Sequence, residues 1–366
     1  MRVKVKRLEF LEALKKAQAA CQKGKYGVEI LRMVRMVAAN GVLLLTGTDG
    51  SAAYITVTCK AQIKTKGAGC VTPDKIITFL SAAATDSVTL VDTGNKLLRI
   101  EAGHAAYLVD YQPADNFCDA NFAAAIHRHK AKAVHVKGLF SALSDVAYAA
   151  AKEDTRPVLT GVLMKFRDGI IELVAADGFR MAISRVKYKS DIHFKKTDSR
   201  EFILPREAVD LMCRLKEESY TFFIGEGMMM FTSGSVEIGL KPIVGSFPAY
   251  EKLIPEHKGK LTLDRAEVLS TLKQFSGKEF NDRAFRIEPK RGGVLVSMSS
   301  GDGNAVSCRV SGKSPIKIAF NIKLFKDMLS HLADSAVVMR VSDGNSPALI
   351  KVGDSQHILM PLRICW

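Results

Sequence analysis

A short phrase that occurs three times constrains this chain more than any other feature. Near the middle, residues 171–181 read IELVAADGFRM, in which a run of β-forming residues meets the turn dipeptide Asp-Gly. A second strand-like run follows, so the phrase predicts a β-hairpin. Variants with the same strand and turn occupy residues 42–50 and 294–303. The turn aspartates, which lie 128 and 125 residues apart, are Asp49, Asp177 and Asp302.

An amphipathic helix pattern precedes each hairpin, which distinguishes a true repeat from a common turn that happens to occur three times. In the third copy Asp264 and Glu267 have the spacing of a capping box, which predicts where that helix begins. The apolar stripes are Phe10, Leu11, Leu14 and Ala17 in the first copy, Phe140, Leu143, Ala147 and Ala150 in the second, and Val268, Leu269, Leu272 and Phe275 in the third.

A second helix pattern follows each hairpin, at residues 72–84, 204–216 and 321–332. Pro73 and Pro205 are expected at the first helical position of two of them, and Asn321 as the cap of the third. Each copy thus reads helix, strands with an Asp-Gly turn, helix, strands. The chain is therefore expected to have an α+β fold made of three repeated domains, with boundaries at 1–126, 127–256 and 257–366.

Composition sets wider limits. The chain has 366 residues, 47% of them hydrophobic, which is enough for two or three domains, and the triplication selects three. No signal peptide and no apolar run of membrane-spanning length is found, so a soluble, cytoplasmic protein is expected. The seven cysteines are scattered and never occur as CxxC. Reduced, mostly buried thiols are therefore expected rather than disulfides or a zinc site.

The formal net charge of +15 and the pI of about 9.4 indicate a polyanionic partner, of which nucleic acid is the usual one. A generally basic surface kept for solubility is the alternative. The placement of the cations favours a partner, because every copy carries some on or just beyond its predicted helices. They are Lys15, Lys16, Lys23, Lys25, Lys75, Lys137, Lys152, Arg206, Arg214, Lys216, Arg265, Lys273, Lys323 and Lys326.

The sequence gives little support to an enzyme. It contains no GxxxxGK[ST] phosphate loop and no complete dinucleotide fingerprint. His127 and His129 would share one face of a strand, but no acidic or cysteine cluster completes a metal site there. The three turn aspartates stand where a turn favours Asp before Gly. We therefore expect no catalytic residues, no metal and no cofactor.

Five motifs, in their order and spacing, resemble the β subunit of bacterial DNA polymerase III, the β sliding clamp family. The resemblance covers almost the whole chain, and its FPxY and MPxR elements are specific when taken together. The motifs are TGTD at 46–49, DTRPVLTGVL at 154–163, ADGFRM at 176–181, GSFPAYEKLIP at 245–255 and MPLRI at 360–364.

The resemblance implies a head-to-tail homodimer that closes six domains into a ring, with antiparallel sheets outside and helices lining the hole. Double-stranded DNA would pass through the hole without sequence-specific contacts, held by distributed cations. A processivity factor of this kind tethers a polymerase and has no catalytic residues. The residues implied to face DNA are Lys23, Lys25, Tyr26, Lys75, Lys137, Lys152, Arg206, Arg214, Lys273 and Lys323.

The resemblance also implies an apolar pocket that receives short linear peptides from polymerases, the clamp loader and repair proteins. Without the resemblance, it would be equally reasonable to expect that these residues only pack two domains against each other. The pocket residues implied are Leu159, Gly178, Phe179, Arg180, Met181, Pro248, Leu253, Ile358, Met360, Pro361, Leu362 and Arg363.

The chain departs from the family pattern in several places. Phe179 stands where the family has histidine and Ala176 where it has threonine. Cys365 and Trp366 extend past the usual end, and Trp366 is expected to contact the pocket, although a free end is the alternative. The chain is basic where an acidic ring is expected, and both a chromosomal and a plasmid or phage origin stay open.

The head-to-tail contact is expected at Tyr107 and Val109 of the first copy and at Phe275 of the third. Two rival functions remain at this stage. One is an enzyme that acts on nucleic acid, which would need clustered carboxylates that the sequence lacks. The other is a triplicated basic scaffold that docks partner peptides without encircling DNA.

Overall fold

The computed structural model describes residues 1–24, 27–50, 53–117, 133–153, 155–167, 169–190, 200–225, 227–256, 259–274, 284–299, 305–332 and 334–364. The chain divides into two compact units. The first contains Met1–Lys137, Tyr188–His193 and Glu207–Pro242, and the second contains Gly138–Lys187, Phe194–Arg206 and Ile243–Trp366.

The order of elements repeats three times along the chain, as the sequence predicts. In the first copy it is strand, helix, four strands, helix and three strands, with short 3-10 helices at Glu29–Arg32 and Ala114–Asn116. The elements are β1 (Arg2–Lys6), α1 (Arg7–Gln18), β2 (Val34–Ala39), β3 (Val42–Thr48), β4 (Ala53–Thr65), β5 (Gly67–Val71), α2 (Pro73–Ala82), β6 (Ser87–Asp92), β7 (Leu97–Ala102) and β8 (Ala105–Gln112).

The second copy follows the same order, with 3-10 helices at Pro157–Leu159 and Tyr250–Leu253. Its elements are β9 (Val134–Lys137), α3 (Leu139–Ala147), β10 (Gly161–Arg167), β11 (Ile170–Ala176), β12 (Arg180–Ser190), β13 (Arg200–Pro205), α4 (Arg206–Leu215), β14 (Ser219–Gly225), β15 (Met228–Ser233) and β16 (Val236–Leu240).

The third copy adds one two-residue strand, β21, to the same order. Its elements are β17 (Gly259–Asp264), α5 (Arg265–Gln274), β18 (Ala284–Lys290), β19 (Gly293–Ser299), β20 (Ala305–Val310), β21 (Gly312–Lys313), β22 (Ile318–Asn321), α6 (Ile322–Ser330), β23 (Ala336–Val341), β24 (Ala348–Val352) and β25 (Ser355–Leu359).

The described strands pair antiparallel. In the first unit the ladder runs β5–β2–β3–β4–β1–β6–β7–β8 and returns to β5, and the first half of β4 also pairs with β16 of the second copy. In the second unit β12 pairs with β25, placing Met181 opposite Ile358. Main-chain ladders therefore join each copy to the next.

The helices bury their apolar stripes, and three of the predicted details are confirmed. Helix α1 buries Phe10, Leu11, Leu14 and Ala17 as predicted. The Asn321 side chain accepts hydrogen bonds from the amides of Lys323 and Leu324, as a helix cap should. Pro73 is the first residue of α2.

Two other details were wrong. Helix α3 buries Leu139, Ala142, Leu143 and Val146, so the stripe predicted through Phe140 and Ala147 is displaced. Helix α4 begins at Arg206, because Pro205 is the last residue of β13 and pairs with Gly161.

The capping box at α5 forms only in part. Asp264 accepts the amide hydrogen of Glu267 at 2.9 Å, as predicted. The Glu267 carboxylate does not reach back to the cap. It accepts hydrogen bonds from the amide and hydroxyl of Ser311, at 2.6 and 2.9 Å, so this side chain ties the helix to the end of β20.

The described cysteines of the first copy, Cys21, Cys59 and Cys70, are buried thiols, as predicted. Burial raises the pKa of Cys21 to about 12 and the pKa values of Cys59 and Cys70 to about 11. Cys213 and Cys308 are half-buried, and neither forms a disulfide. No helix among the described residues is long and apolar enough to cross a membrane.

Candidate docking site and candidate DNA-facing residues

The Asp-Gly turn of the second copy presents an aromatic side chain to solvent. One Asp177 carboxylate oxygen accepts the amide hydrogens of Phe179 and Arg180, both at 2.9 Å. Gly178 has φ +89°, a backbone conformation that favours glycine. This local chemistry fixes the turn, and the Phe179 side chain at its tip is 64% exposed.

Arg180 follows the turn and is buried, although it was predicted as a pocket contact. Its Nε donates to the second Asp177 oxygen at 2.9 Å, and its Nη1 donates to Asp327 on α6 at 3.2 Å. The guanidinium carbon lies 5.1 Å from the centre of the Tyr148 ring. Arg180 therefore holds the turn against α6 and the end of α3, because a buried guanidinium needs these partners.

The C-terminal segment runs beside this turn. After β25 ends, the amide of Met360 donates to the Phe179 carbonyl oxygen at 2.9 Å, and the amide of Leu362 donates to the Ala319 carbonyl oxygen at 2.7 Å. Met360 is exposed, Pro361 is half-buried, and the neighbouring Leu362 and Arg363 are half-buried and exposed. Two predicted motifs, ADGFRM and MPLRI, are thus brought into direct contact.

A buried apolar cluster supports the two segments from below. Met181 and Ile358, which face each other across the β12–β25 pair, both belong to it. Its other buried members are Leu163, Val174, Ile183, Ile203, Tyr250 and Leu349, with Val158, Ala176, Ile243, Phe247 and Ile254 packed at its margin. Leu159 is also buried, in the short helix Pro157–Leu159.

The FPxY motif is anchored by a buried polar network. The Tyr250 hydroxyl donates a short hydrogen bond to Glu172, which also accepts from Arg185 Nε at 2.6 Å. Next along the chain, Glu251 accepts from Lys165 and Arg167, both at 3.2 Å. Burial and the hydrogen bond to Glu172 raise the pKa of Tyr250, so its hydroxyl keeps its proton.

These hydrogen bonds and ion pairs fix the short helix Tyr250–Leu253. Two apolar side chains in and just before this helix are exposed to solvent. Leu253 is 60% exposed and Pro248 is exposed. Together with Phe179, Met360 and Val244, they place large exposed apolar groups around the buried cluster. We call Phe179, Pro248, Leu253, Met360 and Leu362 the docking surface. A surface of this kind suits an extended peptide with apolar anchors.

A polar cluster behind the docking surface was not predicted from the sequence. The Tyr148 hydroxyl and His357 Nδ1 are 3.0 Å apart, and the Tyr148 ring stacks on His331 with centroids 4.4 Å apart. Burial lowers the pKa of His357 to about 4, so the ring is neutral. Burial also raises the pKa of Asp145, which accepts a hydrogen bond from Ser184. The cluster borders a cavity of about 390 Å³.

Nothing in this cluster amounts to a metal centre. Across the described ranges, no three His, Cys, Asp or Glu side chains gather where they could hold a metal ion. His127 and His129, the pair considered from the sequence, lie outside the residues that the structure describes.

Residues 133–249 match the family model described as DNA polymerase III beta subunit, central domain. A beta sliding clamp of Chlamydia pneumoniae is 25% identical over 372 residues, covering 100% of this chain and 99% of that protein. Over its full length, the chain is similar to β sliding clamps. The family resemblance expected from the motifs is confirmed.

Solved structures of sliding clamps share the fold over the full chain. A DNA polymerase sliding clamp from Pseudomonas aeruginosa with ligand gives a TM-score of 0.84 at 21% identity, and one from Bartonella birtlesii bound to griselimycin gives 0.86 at 22% identity. Both cover 100% of each chain. The predicted α+β fold of the clamp family is confirmed.

In the first compact unit, the described cations predicted to face DNA are exposed. They are Lys23, Lys75, Lys137 and Arg214. Lys23 and Arg214 line one cavity of about 720 Å³ together with Lys15 and Arg32. Lys25 and Tyr26 lie outside the described residues.

In the second unit, Lys152, Lys273 and Lys323 are exposed. Arg206 differs from them, because it is half-buried and its Nη1 donates to the carbonyl oxygens of Ala150 and Ala151, at 3.3 and 3.4 Å. It holds the segment after α3, so less of its charge is available to a ligand.

Strand β8 carries the residues predicted for the head-to-tail contact in the first copy. Tyr107 is half-buried and stacks on Phe79 with centroids 5.4 Å apart. Val109 is buried, whereas the neighbouring Leu108 is 55% exposed. The alternation of a strand therefore points Leu108, and not Val109, away from the core. Phe275 lies outside the described residues.

Proposed function

We propose that this chain is a DNA sliding clamp, a non-catalytic processivity factor of DNA replication that acts in the cytoplasm. Two protomers would encircle double-stranded DNA, and the docking surface would tether the polymerase, the clamp loader and repair proteins through short peptides. Similarity to sliding clamps over the whole chain length is the observation that carries the proposal.

The docking function rests on the contact between the ADGFRM and MPLRI motifs. The Met360 amide bonds the Phe179 carbonyl oxygen, and both side chains are exposed above a buried apolar cluster. An apolar surface that is rigid underneath and open above can bind an extended segment without reorganising. Arg180 and Leu159 would act through the turn and the cluster rather than by touching a peptide, because they are buried.

The DNA-binding function rests on exposed lysines and arginines in both units. Such side chains attract phosphates through charge that does not depend on sequence, which is what a sliding ring requires. The residues proposed to contact DNA are Lys23, Lys75, Lys137, Lys152, Arg214, Lys273 and Lys323. Lys25 and Tyr26 are added on the basis of the sequence alone.

The homodimer rests on two strand edges. Within the described residues, Ala105 to Asp110 of β8 pairs with β7 on one side, and β20 pairs with β19 on one side. An unpaired edge that carries exposed Leu108 in one unit, and Val306 in the other, suits a head-to-tail contact. Tyr107 would pack behind Leu108, on the core side of β8. Phe275 is included in the proposed contact on the basis of the sequence alone.

Retention on DNA of different topology tests the proposal. The protein is loaded onto nicked circular plasmid with a clamp loader, freed from unbound protein by gel filtration, and followed after cutting the plasmid once. A sliding ring stays on the circle and leaves the linear form within minutes. Equal loss from both forms would favour the scaffold alternative, which docks peptides without encircling DNA.

A further inference from the structure

Strand β1 presents a row of cations on one face of the first unit. Val3 and Val5 are buried, whereas the alternating Arg2, Lys4 and Lys6 are exposed. Side chains two apart on a strand leave the same face about 6.5 to 7 Å from each other. The three charges therefore form a line on the solvent side of the sheet.

The adjacent strand extends this row into a patch. Lys4 lies opposite Gln62 of β4, so Lys60 and Gln62 share the face of Lys4, and Lys64 follows at the point where the register with β1 shifts. Lys60, Gln62 and Lys64 are exposed, whereas their neighbours Ala61 and Ile63 are half-buried. We call the five cations Arg2, Lys4, Lys6, Lys60 and Lys64 the basic sheet face.

Little of this charge is neutralised. Lys6 pairs with Glu9 at 3.0 Å. For Arg2, Lys4, Lys60 and Lys64, the described part of the chain supplies no ion-pair partner. On the other side of β1, strand β6 places Val91, Thr89 and Ser87 opposite Arg2, Lys4 and Lys6, and these residues are uncharged. Five like charges with a single neighbouring acid in the described ranges, Glu9, create a local positive potential that favours a polyanion.

A groove runs over the same residues. It has a volume of about 340 Å³, and its polar lining consists of Lys4, Lys6, Lys60, Gln62, Ser87 and Glu9, the last of which pairs with Lys6. Ammonium, amide and hydroxyl groups are the hydrogen-bond donors that phosphate oxygens accept. The groove therefore offers both the charge and the donors for a phosphate chain.

We propose that the basic sheet face binds the sugar-phosphate backbone of duplex DNA, as a second contact separate from the helix cations. An acidic peptide fits less well, because β1 is paired on both sides and offers no free edge for strand addition. A single strand also fits less well, because no aromatic side chain belongs to the face to stack on bases. This site is independent of whether the chain encircles DNA.

The test compares two triple variants with the same change in charge. Lys4→Gln, Lys60→Gln and Lys64→Gln remove the basic sheet face, and the control Lys260→Gln, Lys290→Gln and Lys351→Gln removes three exposed lysines of the second unit. Affinity for a labelled 20-base-pair duplex is measured by anisotropy from 50 to 200 mM salt. The face variant should reduce the slope of log affinity against log salt by about 2 to 3, and the control should leave it nearly unchanged.

A second measurement uses the unaltered protein. Acetylation of lysines followed by mass spectrometry should show duplex DNA protecting Lys4, Lys60 and Lys64 more than Lys260. Equal slopes for both variants, or equal protection of all four lysines, would overturn the proposal. So would stronger binding of a single strand or a polyglutamate peptide at these lysines. Ring retention on circular DNA would be unaffected by those outcomes, which keeps the two proposals separable.

Discussion

The hydroxyl group of Tyr250 donates a hydrogen bond to the buried carboxylate of Glu172, on the strand that leads to the Asp177 turn. The Tyr250→Phe variant removes this donor from a buried charged acceptor. We expect the free energy of unfolding to fall by about 1 to 3 kcal/mol, and peptide affinity to fall with it, because the helix that carries Leu253 loses its anchor.

The chain provides a matched control at Tyr220. This hydroxyl is also buried, but it has no hydrogen-bond partner among the described residues. The Tyr220→Phe variant should therefore be neutral or slightly more stable, since it removes an unsatisfied polar group. Urea unfolding of both variants checks the pair. Equal losses of stability would show that the Glu172 contact contributes nothing.

Variants of Arg180 and Arg363 should distinguish a loss of folding stability from a loss of peptide binding. The Arg180→Ala variant leaves Asp177 and Asp327 without their guanidinium, so the free energy of unfolding should fall by about 3 to 5 kcal/mol. Arg363 is exposed, and Arg363→Ala should change stability by less than about 0.5 kcal/mol while weakening peptide binding. Thermal unfolding and peptide titration measure both effects. An unchanged stability of Arg180→Ala would contradict the bracing role.

The neutral His357 ring predicts a loss of stability in mild acid. Its pKa of about 4 in the folded protein lies below the value of about 6.5 for an unfolded histidine. The unfolded chain therefore binds the proton first, and stability is complete above pH 6.5 and falls as the pH drops towards 4. Between pH 7 and pH 5 the loss should be about 2 kcal/mol.

The variant His357→Gln should flatten this part of the stability profile, measured by urea unfolding at each pH. His104 lies on an exposed turn, so His104→Gln serves as the control and should keep the wild-type profile. If both variants keep the full dependence between pH 7 and pH 5, the acid sensitivity arises elsewhere.

The docking surface can be tested with a peptide that carries a glutamine and paired leucine and phenylalanine anchors. Leu253→Ala and Met360→Ala each remove an exposed apolar contact, so the affinity should fall about 5- to 30-fold in each variant. Val338→Ala, an exposed valine on β23, should bind the peptide as the wild type does. Calorimetric titration gives the constants. Unchanged affinity in both test variants would remove the docking assignment.

The exposed side chain of Leu108 provides a test of the proposed homodimer. A homodimer has a mass of about 80 kDa, twice the 40.0 kDa of one chain. Leu108→Asp places a charge on the proposed contact edge and should shift the sedimenting species towards the monomer. Leu8→Asp alters another exposed leucine of the first copy, in α1, and should leave the dimer intact. A monomer at every concentration in the unaltered protein would contradict the homodimer.

Features set by local chemistry could be predicted from the sequence. The Asp-Gly turns are an example, since Gly178 and Gly50 adopt φ +89° and +82° and are held by neighbouring oxygen acceptors. The stripe of α3 could not be predicted reliably, because its sequence LFSALSDVA is apolar on more than one side. Packing against the sheet decides which residues are buried there.

Features set by distant partners could not be predicted. Arg180 was predicted as a pocket contact, yet it is buried and donates to Asp327, which lies 147 residues away along the chain. Tyr148 and His357 are 209 residues apart and carry no motif that would pair them. The family resemblance predicted that the Asp177-Gly178 turn and the MPxR segment lie together. Their separation along the sequence gave no reason to expect this contact.

The alkylation rates of the buried thiols in the first copy can be used to measure its local opening. A thiol reacts as the thiolate, and burial holds Cys21, Cys59 and Cys70 almost fully protonated at neutral pH and out of reach of reagents. Each can be alkylated at an appreciable rate only in molecules whose first copy has transiently opened. The alkylation rate of these three, compared with that of half-buried Cys213 and Cys308, therefore measures the free energy of opening one copy within an otherwise folded chain.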